Sequence, residues 1–222
     1  AETTLTVNGG SYTLRTGGGS GGTAEGDTSA KGLKAGSQVT LNAGTFSLDC
    51  LDDAIHSNGS VAITGGSFTI STGDDGVHAD EAASVSGGEI TISACSEGLE
   101  GQTVDISGGE ISITASDDGV NAAGGADQSG FGGFGQDSFG GSQSCAITIS
   151  GGKLIIDAQG DGIDSNGSLT ISGGEVYISG PTGDGDGAID YDGSGVITGG
   201  TVVAVGSAGM AQNFGSDSAQ GS

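Results

Sequence analysis

Apolar residues along this chain come in short runs in which every second position is apolar and the positions between are polar. One set of runs follows the glycine pairs: Tyr12/Leu14, Phe46/Leu48, Phe68/Ile70, Ile90/Ile92, Ile111/Ile113, Leu154/Ile156, Val176/Ile178 and Val202/Ala204. A second set precedes the next glycine pair: Val39/Leu41, Val61/Ile63, Val104/Ile106, Ile147/Ile149 and Leu169/Ile171. A period of two predicts half-buried β-strands, and no window shows the 3.6-residue period of a helix.

Glycine pairs punctuate these runs at a nearly constant interval. The interval is 22 residues from Gly66 to Gly88, 21 from Gly88 to Gly109 and 22 from Gly152 to Gly174. A fixed period in this range is typical of a solenoid, whose units are too small to bury their apolar faces alone. We therefore predict one all-β domain, residues 1–222, folded as a right-handed parallel β-helix of about eight coils. The glycines would form corners that need a positive φ or a close backbone approach.

Two segments interrupt the period, near residues 16–30 and 123–144, and both are predicted to leave the solenoid wall as glycine-rich excursions. The second segment also carries Phe131, Phe134 and Phe139. Two interpretations stay open for it: a low-complexity loop, or an aromatic surface against which a sugar ring stacks.

Acidic turns recur once per unit, and alignment on the glycine pairs stacks them into three columns. The first column is Asp53, Asp75, Glu97, Asp118, Asp161 and Asp186. The second is His56, His78, Glu100, Asn121, Asp164 and Asp190, and the third is Asn58, Asp80, Gln102, Asn166 and Asp192. Carboxylates about 4.8 Å apart repel by roughly 3–4 kcal/mol per pair at an effective dielectric constant near 20. Such columns require a counter-charge.

Ca²⁺ is the predicted counter-ion, because it takes about six to eight oxygen ligands from carboxylates, amides and backbone carbonyls. The predicted ligands are Asp52, Asp53, Asp74, Asp75, Asp80, Glu97, Glu100, Asp117, Asp118, Asp161, Asp164, Asp184, Asp186, Asp190 and Asp192. The alternative is a solvated acidic face that only maintains solubility.

Four basic residues lie in or above these columns. His56 and His78 are neighbours, but two imidazoles without a nearby cysteine make a weak zinc site. Lys31 and Lys34 align with the first two columns one coil earlier, where they are expected to compensate charge. A sharper hypothesis makes a lysine the base beside a metal, as β-elimination of a uronate requires.

The outward-facing residues of the strands that follow the glycine pairs change from hydroxyl-bearing to apolar toward the C-terminus. In order they are Thr13, Ser47, Thr69, Thr91, Ser112, Ile155, Tyr177 and Val203. The three apolar members are expected to bind a partner such as a sugar chain, unless residues 210–214 fold over them. Tyr177, Phe131, Phe134 and Phe139 are therefore the predicted carbohydrate contacts.

Composition narrows the possible partners. The 222 residues include 28 acidic and 4 basic ones, for a formal charge of −24, which excludes the basic surface that nucleic-acid binding needs. No apolar stretch approaches the length of a membrane-spanning helix, and no signal peptide is visible. Cys50 and Cys95 lie about 10 Å apart, beyond disulfide reach, so these two and Cys145 are expected to be small buried residues. We expect a monomer.

Several motif copies resemble a known family. Residues 86–92 (Ser-Gly-Gly-Glu-Ile-Thr-Ile), 117–121 (Asp-Asp-Gly-Val-Asn), 160–167 (Gly-Asp-Gly-Ile-Asp-Ser-Asn-Gly) and the closing Gly209-Met210-Ala211-Gln212 look like the bacterial carbohydrate-binding domain-containing β-helix family. The chain is also similar to pectate lyases, which are parallel β-helices with acidic, calcium-laden turns. The resemblance implies a secreted or surface-anchored protein that binds calcium and a plant polysaccharide such as cellulose or polygalacturonate. Residues 96–102 depart from the Asp-Asp-Gly motif.

Three functions remain open from the sequence. The first is an extracellular calcium-loaded module that binds plant cell-wall polysaccharide. The second is a calcium-dependent polysaccharide lyase, which the small number of basic residues disfavours, so that we assign no catalytic residue. The third is a structural or adhesive spacer at the cell surface.

Overall fold

The computed structural model describes residues 1–23, 29–123 and 144–219, and the regular elements of these residues are all β-strands. The strands are β1 (Thr4–Thr16), β2 (Leu33–Ala35), β3 (Gln38–Cys50), β4 (Ile55–Ser57), β5 (Ser60–Ile63), β6 (Ser67–Thr72), β7 (Val77–Cys95), β8 (Leu99–Ala115), β9 (Val120–Ala122), β10 (Ala146–Ile149), β11 (Lys153–Ala158), β12 (Ile163–Ser165), β13 (Ser168–Ile171), β14 (Glu175–Ser179), β15 (Gly195–Ile197) and β16 (Thr201–Val205). Within this part of the chain, no helix is long and apolar enough to cross a membrane.

Each turn of the chain passes through up to three strand segments, and each segment pairs in parallel with its equivalents in the turns above and below. The segments that precede the glycine pairs, which we call the middle segments, form one continuous path of paired strands in the order β1-β3-β5-β7-β8-β10-β13-β15. The segments after the glycine pairs form a second wall, which we call the broad face. The result is a β-solenoid of about seven turns, which confirms the predicted fold class. The sequence predicted about eight turns, one more than the structure has.

The glycine pairs fix the corner between the middle segment and the broad face. The second glycine of all seven pairs has a positive φ, and so does Gly44 of the equivalent Ala43-Gly44, with values from +132° at Gly44 to +82° at Gly152 and Gly200. A Cβ on Gly88 would lie 2.9 Å from the carbonyl oxygen of Gly66 in the turn above. Both the predicted positive φ and the predicted close approach are therefore present, and they explain why glycine recurs there.

Inward-facing apolar side chains form one continuous core along the solenoid. Equivalent residues stack directly, as Tyr12, Phe46 and Phe68 show, with ring centroids 5.0 Å and 4.6 Å apart. The free cysteines Cys50 and Cys95 are buried in this core, as predicted, and so is Cys145.

A third, shorter segment lies where the sequence predicted only an acidic turn. It consists of β2, β4, β9, β12 and the first residues of β7 and β8. Each turn buries one large apolar side chain of this segment, which is Ile55, Val77, Leu99, Val120 or Ile163. The residue two positions later is small and, in most turns, also buried, as at Ser57, Ala79 and Ala122. Three residues carry too few alternations to be recognised as a strand from periodicity, but parallel pairing gives them a fixed register.

The segment after β16 closes the C-terminal end of the solenoid. Its backbone and side chains bond to the last turn through Tyr191 Oη to Asn213 O (2.6 Å), Gly215 N to Gly195 O (2.7 Å) and Ala219 N to Ile197 O (2.9 Å). Phe214 packs against the core from this position. The segment therefore adds a partial layer that covers the end of the core.

Candidate metal centre and carbohydrate-facing surface

The short third segments place one acidic side chain per turn two residues before the inward apolar residue. Register pairs Ile55 with Val77, Val77 with Leu99, Leu99 with Val120 and Val120 with Ile163. The side chains brought together are Asp53, Asp75, Glu97, Asp118 and Asp161, which we call the acidic column. The sequence predicted these five residues as neighbours in this order, and the register confirms it.

Backbone amides orient most members of the acidic column. In successive turns, the N–H of the lower residue donates to Oδ1 of the aspartate above it. The pairs are Asp75 to Asp53 (3.2 Å), Glu97 to Asp75 (3.2 Å) and Asp161 to Asp118 (2.6 Å), and Gly187 N donates to Asp161 in the same way. Each of these aspartates thus has one oxygen fixed by backbone and a second oxygen, Oδ2, that can meet another partner.

Basic side chains meet the upper members of the column. Lys31 Nζ lies 2.7 Å from Asp52 Oδ1 and 2.5 Å from Asp53 Oδ2, and its side chain is 5% exposed. His56 Nδ1 lies 2.7 Å from the same Asp53 oxygen. The lysine therefore occupies the position above the column that the sequence predicted for it.

His78 is a second basic centre, stacked beneath His56 at a ring-centroid distance of 5.0 Å. Its Nδ1 contacts Glu100 and lies 3.3 Å from Asp75 Oδ2, and its Nε2 lies 3.2 Å from Asp80 Oδ1. Burial opposes its charge, but the hydrogen bonds to Asp75 and Glu100 raise the pKa of His78 to about 12. These contacts therefore favour the protonated form of the His78 imidazole.

The pKa values of the carboxyls shift in opposite directions along the column. Burial opposes ionisation of Asp53, but His56 and Lys31 outweigh it and lower its pKa to about 2. Burial raises the pKa of Asp75 and of Glu97 well above the usual range.

Lower in the column, burial together with the charges of Asp117 and Asp161 raises the pKa of Asp118 to about 9. Burial also raises the pKa of Asp161 to about 6, although the N–H of Gly187 opposes this shift. Without a cation, these carboxyls hold protons at a pH where carboxyls are normally ionised.

In the part of the chain that the structure describes, four groups of side chains bring possible ligand atoms within 4.8 Å of one another. They are Asp52–Asp53–Asp74, Asp53–Asp75–His78, Asp75–Glu97–Glu100 and Asp118–Asp161–Asp164. Asn121 borders the last of these groups, since it pairs in register with Asp164. It is fully buried, and its Oδ1 has no hydrogen-bond partner among the described residues. Carboxylate and amide oxygens suit a hard divalent cation such as Ca²⁺.

The predicted ligands of the last turn are arranged differently. The bridge between Ile163 and Ile189 puts Gly187, not Asp186, beneath Asp161. This turn has four more residues between the broad face and the third segment than the turn before, so Gly187 takes the position predicted for Asp186, and Asp186 is exposed in the longer turn.

Asp190 follows Asp164 in the second column, as predicted, and accepts hydrogen bonds from the Tyr191 N–H and from Gln212. Asp117 is exposed beside Asp118, and Asp192 is exposed in the last turn. Asp184 is also exposed and accepts a hydrogen bond from Ser207 Oγ (2.8 Å).

The broad face carries the predicted apolar patch. Parallel register pairs Ile155 with Tyr177 and Tyr177 with Val203, so the three side chains form a line along the solenoid axis. They are 37%, 36% and 49% exposed. The alternative in which residues 210–214 cover this patch is wrong, because that segment lies on the end of the last turn.

Comparison with known protein families adds the deciding observation. A family model described as "Carbohydrate-binding domain-containing protein" matches residues 1–76 and 74–187. The chain belongs to this family. No curated protein and no solved structure gives a significant match. Membership supports carbohydrate, and hence polysaccharide, as the partner of the chain.

The described residues include one of the four predicted carbohydrate contacts, Tyr177. Tyr177 lies at the centre of the apolar patch, with its hydroxyl 3.3 Å from Glu175 Oε2. Phe131, Phe134 and Phe139 lie outside the described residues. A cleft lined by Ser179, Gly180, Pro181, Thr182, Val205, Gly206 and Ser207 continues from the patch, and the sequence pattern gave no signal for it.

Proposed function

We propose that the chain is an extracellular, calcium-dependent module that binds plant cell-wall polysaccharide of the cellulose or polygalacturonate type. Family membership supports the carbohydrate partner. The uncovered line of Ile155, Tyr177 and Val203 is the observation that supports this face as the proposed binding surface. The buried acidic column supports the requirement for a cation.

The apolar line suits an extended sugar chain that runs parallel to the solenoid axis. Successive strands are about 4.8 Å apart, so adjacent side chains of the line would meet adjacent sugar units. The ring of Tyr177 would pack against the apolar face of one unit, and its hydroxyl and Glu175 would reach polar groups at the edge. An exposed apolar line with polar flanks is the usual chemistry of such contacts.

Calcium would act on the structure that supports this surface. The column lies on a different wall of the same turns, so cation binding would stabilise the layers that align Ile155 with Tyr177. Extracellular calcium modules bind Ca²⁺ with dissociation constants of about 10⁻⁴–10⁻³ M, and we expect an affinity in that range here.

Binding to insoluble cellulose by sedimentation, and to polygalacturonate by affinity electrophoresis, tests this proposal. We expect Tyr177→Ala to weaken binding about tenfold and Tyr177→Phe to retain most of it, because the ring supplies the contact. Thr91→Ala, at the same outward position three turns earlier on the broad face, is the matched control and should bind normally. Equal binding by Tyr177→Ala and the unaltered chain would contradict the proposed surface.

The same samples test the other two functions. A lyase would raise the ultraviolet absorbance of polygalacturonate, and Lys34→Ala would abolish the rise if Lys34 were the base. Lys31 is a poor candidate for that base, since it is buried between Asp52 and Asp53. A chain that neither binds nor cleaves polysaccharide would be a spacer.

A further inference from the structure

The cleft beside the apolar line comes from a local departure from the repeat. In the turn that contains β14, 11 residues separate Ile178 on the broad face from Ile189 on the third segment, against 7 from Ile156 to Ile163 in the turn before. The longer turn contains an exposed stretch from residue 182 to residue 186, and Thr182 of this stretch lines the cleft. The cleft is therefore a feature of this turn and is not produced by the repeat itself.

The cleft lies to one side of the apolar line. Ser179 and Val205 line it, and they follow Tyr177 and Val203 by two residues on β14 and β16. Alternate residues of a strand point to the same face and are about 6.6 Å apart. Because strands run across the solenoid axis, the cleft is displaced sideways from the line by a distance comparable with the width of a pyranose ring.

Hydrogen bonds hold the two sides of the cleft together. Gly180 N donates to Val205 O, and Ser207 N donates to Pro181 O, each at 2.7 Å. Ser207 Oγ also donates to Asp184 Oδ1 (2.8 Å), which ties the exposed stretch to the segment after β16. The folded chain therefore forms the cleft without help from a ligand, as is usual for sites that bind small molecules.

The side chains of the cleft suit a sugar. Its apolar surface comes from Val205, which is 61% exposed, and from Pro181. The hydroxyl groups beside this surface belong to Ser179, Thr182 and Ser207. A sugar ring has an apolar face and hydroxyl groups at its edge, so it can meet both kinds of group at once.

Charge around the cleft favours a neutral sugar over an acidic one. None of the described residues that line the cleft is charged. Asp184 and Asp186 are exposed in the stretch that borders it. Like charges that are brought together oppose binding, so a uronate would bind less favourably there than a neutral sugar unit.

We propose that the cleft binds a neutral sugar branch of a polysaccharide whose main chain lies on the apolar line. This inference rests on the proposed polysaccharide binding and adds the class of polysaccharide, a cellulose-type glucan that carries sugar branches. The main chain runs along the solenoid axis over Ile155, Tyr177 and Val203. A branch leaves it in the strand direction, toward Ser179 and Val205, whereas an unbranched chain contacts the line alone.

Calorimetric titration with two oligosaccharides tests the branch site. Cellotetraose and the xylose-branched xyloglucan oligosaccharide built on it share one glucan main chain and differ only in the branches. With Ca²⁺ present, we expect the unaltered chain to bind the branched oligosaccharide about tenfold more tightly, because a branch adds contacts in the cleft. Equal affinity for the two oligosaccharides would overturn the branch site.

A variant of the cleft shows whether the branch lies there. Val205→Glu replaces the apolar surface with a longer, charged side chain, and it should abolish the preference for the branched oligosaccharide while cellotetraose binds as before. Thr114→Glu is the matched control, because Thr114 is exposed at the same outward position three turns earlier. It should bind both oligosaccharides like the unaltered chain. A preference that persists in Val205→Glu would overturn the assignment to the cleft.

Deletion of residues 182–185 is a second test, because it restores the interval of 7 residues found in the turn before. Circular dichroism shows whether the shortened chain is folded, and Val205→Glu decides the question if it is not. The folded deletion variant should lose the preference for the branched oligosaccharide and keep its affinity for cellotetraose. Retention of the preference would show that the longer turn does not form the site.

Two results separate this inference from the proposed function. Equal affinity for the two oligosaccharides, with Tyr177→Ala weakening both, would overturn the branch site and leave the proposed binding surface in place. No binding of either oligosaccharide or of polygalacturonate by the unaltered chain would overturn the proposed polysaccharide binding and the branch site together.

Discussion

Individual carboxyls of the acidic column differ in what balances their charge. Asp53 is ionised because Lys31 and His56 outweigh its burial and lower its pKa to about 2. Asp118 is also buried, but burial and neighbouring carboxylates raise its pKa to about 9. In the absence of a cation, Asp118 therefore holds a proton at neutral pH, and a metal ion would have to displace it.

The raised pKa of Asp118 predicts how stability depends on pH. Its usual pKa is 3.8 and its folded pKa is about 9, so the folded state binds the extra proton and stability is lost as pH rises between these values. The slope should approach about 1.4 kcal/mol per pH unit for each such proton. In chelator, the melting temperature should fall from pH 5 to pH 9.

Asp118→Asn is the control for this pH dependence, because the amide is neutral and nearly isosteric. It should flatten the fall in melting temperature in chelator while weakening calcium binding. A melting temperature of the unaltered chain that rises with pH in chelator would contradict the assigned pKa shift.

At the scale of elements, the glycine pairs and the stacked apolar positions fix each turn. The positive φ of the second glycine and its contact with the turn above serve both the corner and the layer spacing. The conformation of each turn therefore depends on contacts with the adjacent turns as well as on its own sequence.

Gly88→Ala tests the corner. Gly88 has a φ of +99°, and a Cβ there would lie 2.9 Å from Gly66 O, so we expect a loss of about 1–3 kcal/mol in the free energy of unfolding. Gly183→Ala is the control, since φ is not positive at Gly183 and no atom lies within 4 Å of an added Cβ. Chemical denaturation should show a shifted midpoint for Gly88→Ala alone, and equal midpoints would count against the corner's strain.

Phe68→Ala tests the stacked core. Phe68 is 1% exposed and stacks on Phe46 at 4.6 Å, so its truncation should cost about 3–5 kcal/mol through lost burial and a cavity. Thr69→Ala, the exposed neighbour on the same strand, should change stability by less than about 0.5 kcal/mol. Similar denaturation midpoints for the two variants would contradict the inward assignment of Phe68.

The alternating strands and most of the register could be predicted from the sequence, because the glycine pairs repeat at a nearly constant interval. The outward order from Thr13 to Val203 is paired as predicted. The third segment was missed because β4 and its equivalents are only three residues long and contain one large apolar side chain each, which is too short for a period of two to be recognised. The slip at Asp186 arose because the last turn has four more residues between the broad face and the third segment than the turn before, with 11 residues from Ile178 to Ile189 against 7 from Ile156 to Ile163. Alignment on glycine pairs does not show where in the turn those residues are added.

For the molecule as a whole, the repeat places two different surfaces on the same turns. The acidic column lies along one wall, and the apolar line of Ile155, Tyr177 and Val203 lies on the broad face near the C-terminal end. The columns follow from the regular period of the repeat, so the sequence could predict which side chains lie next to each other in successive turns. The orphaned oxygen of Asn121 and the path of residues 207–219 were not, because both depend on side-chain and backbone contacts that have no periodic signal.

The melting temperature of the chelator-treated chain at pH 7, measured with and without added Ca²⁺, tests the central claim most directly. Calcium at about 100 times its dissociation constant should add about 2.7 kcal/mol, which raises the melting temperature by roughly 5–10 °C for a chain of this size. Asp164→Asn should show a much smaller rise. The same melting temperature in chelator and in calcium would contradict a calcium site in the acidic column.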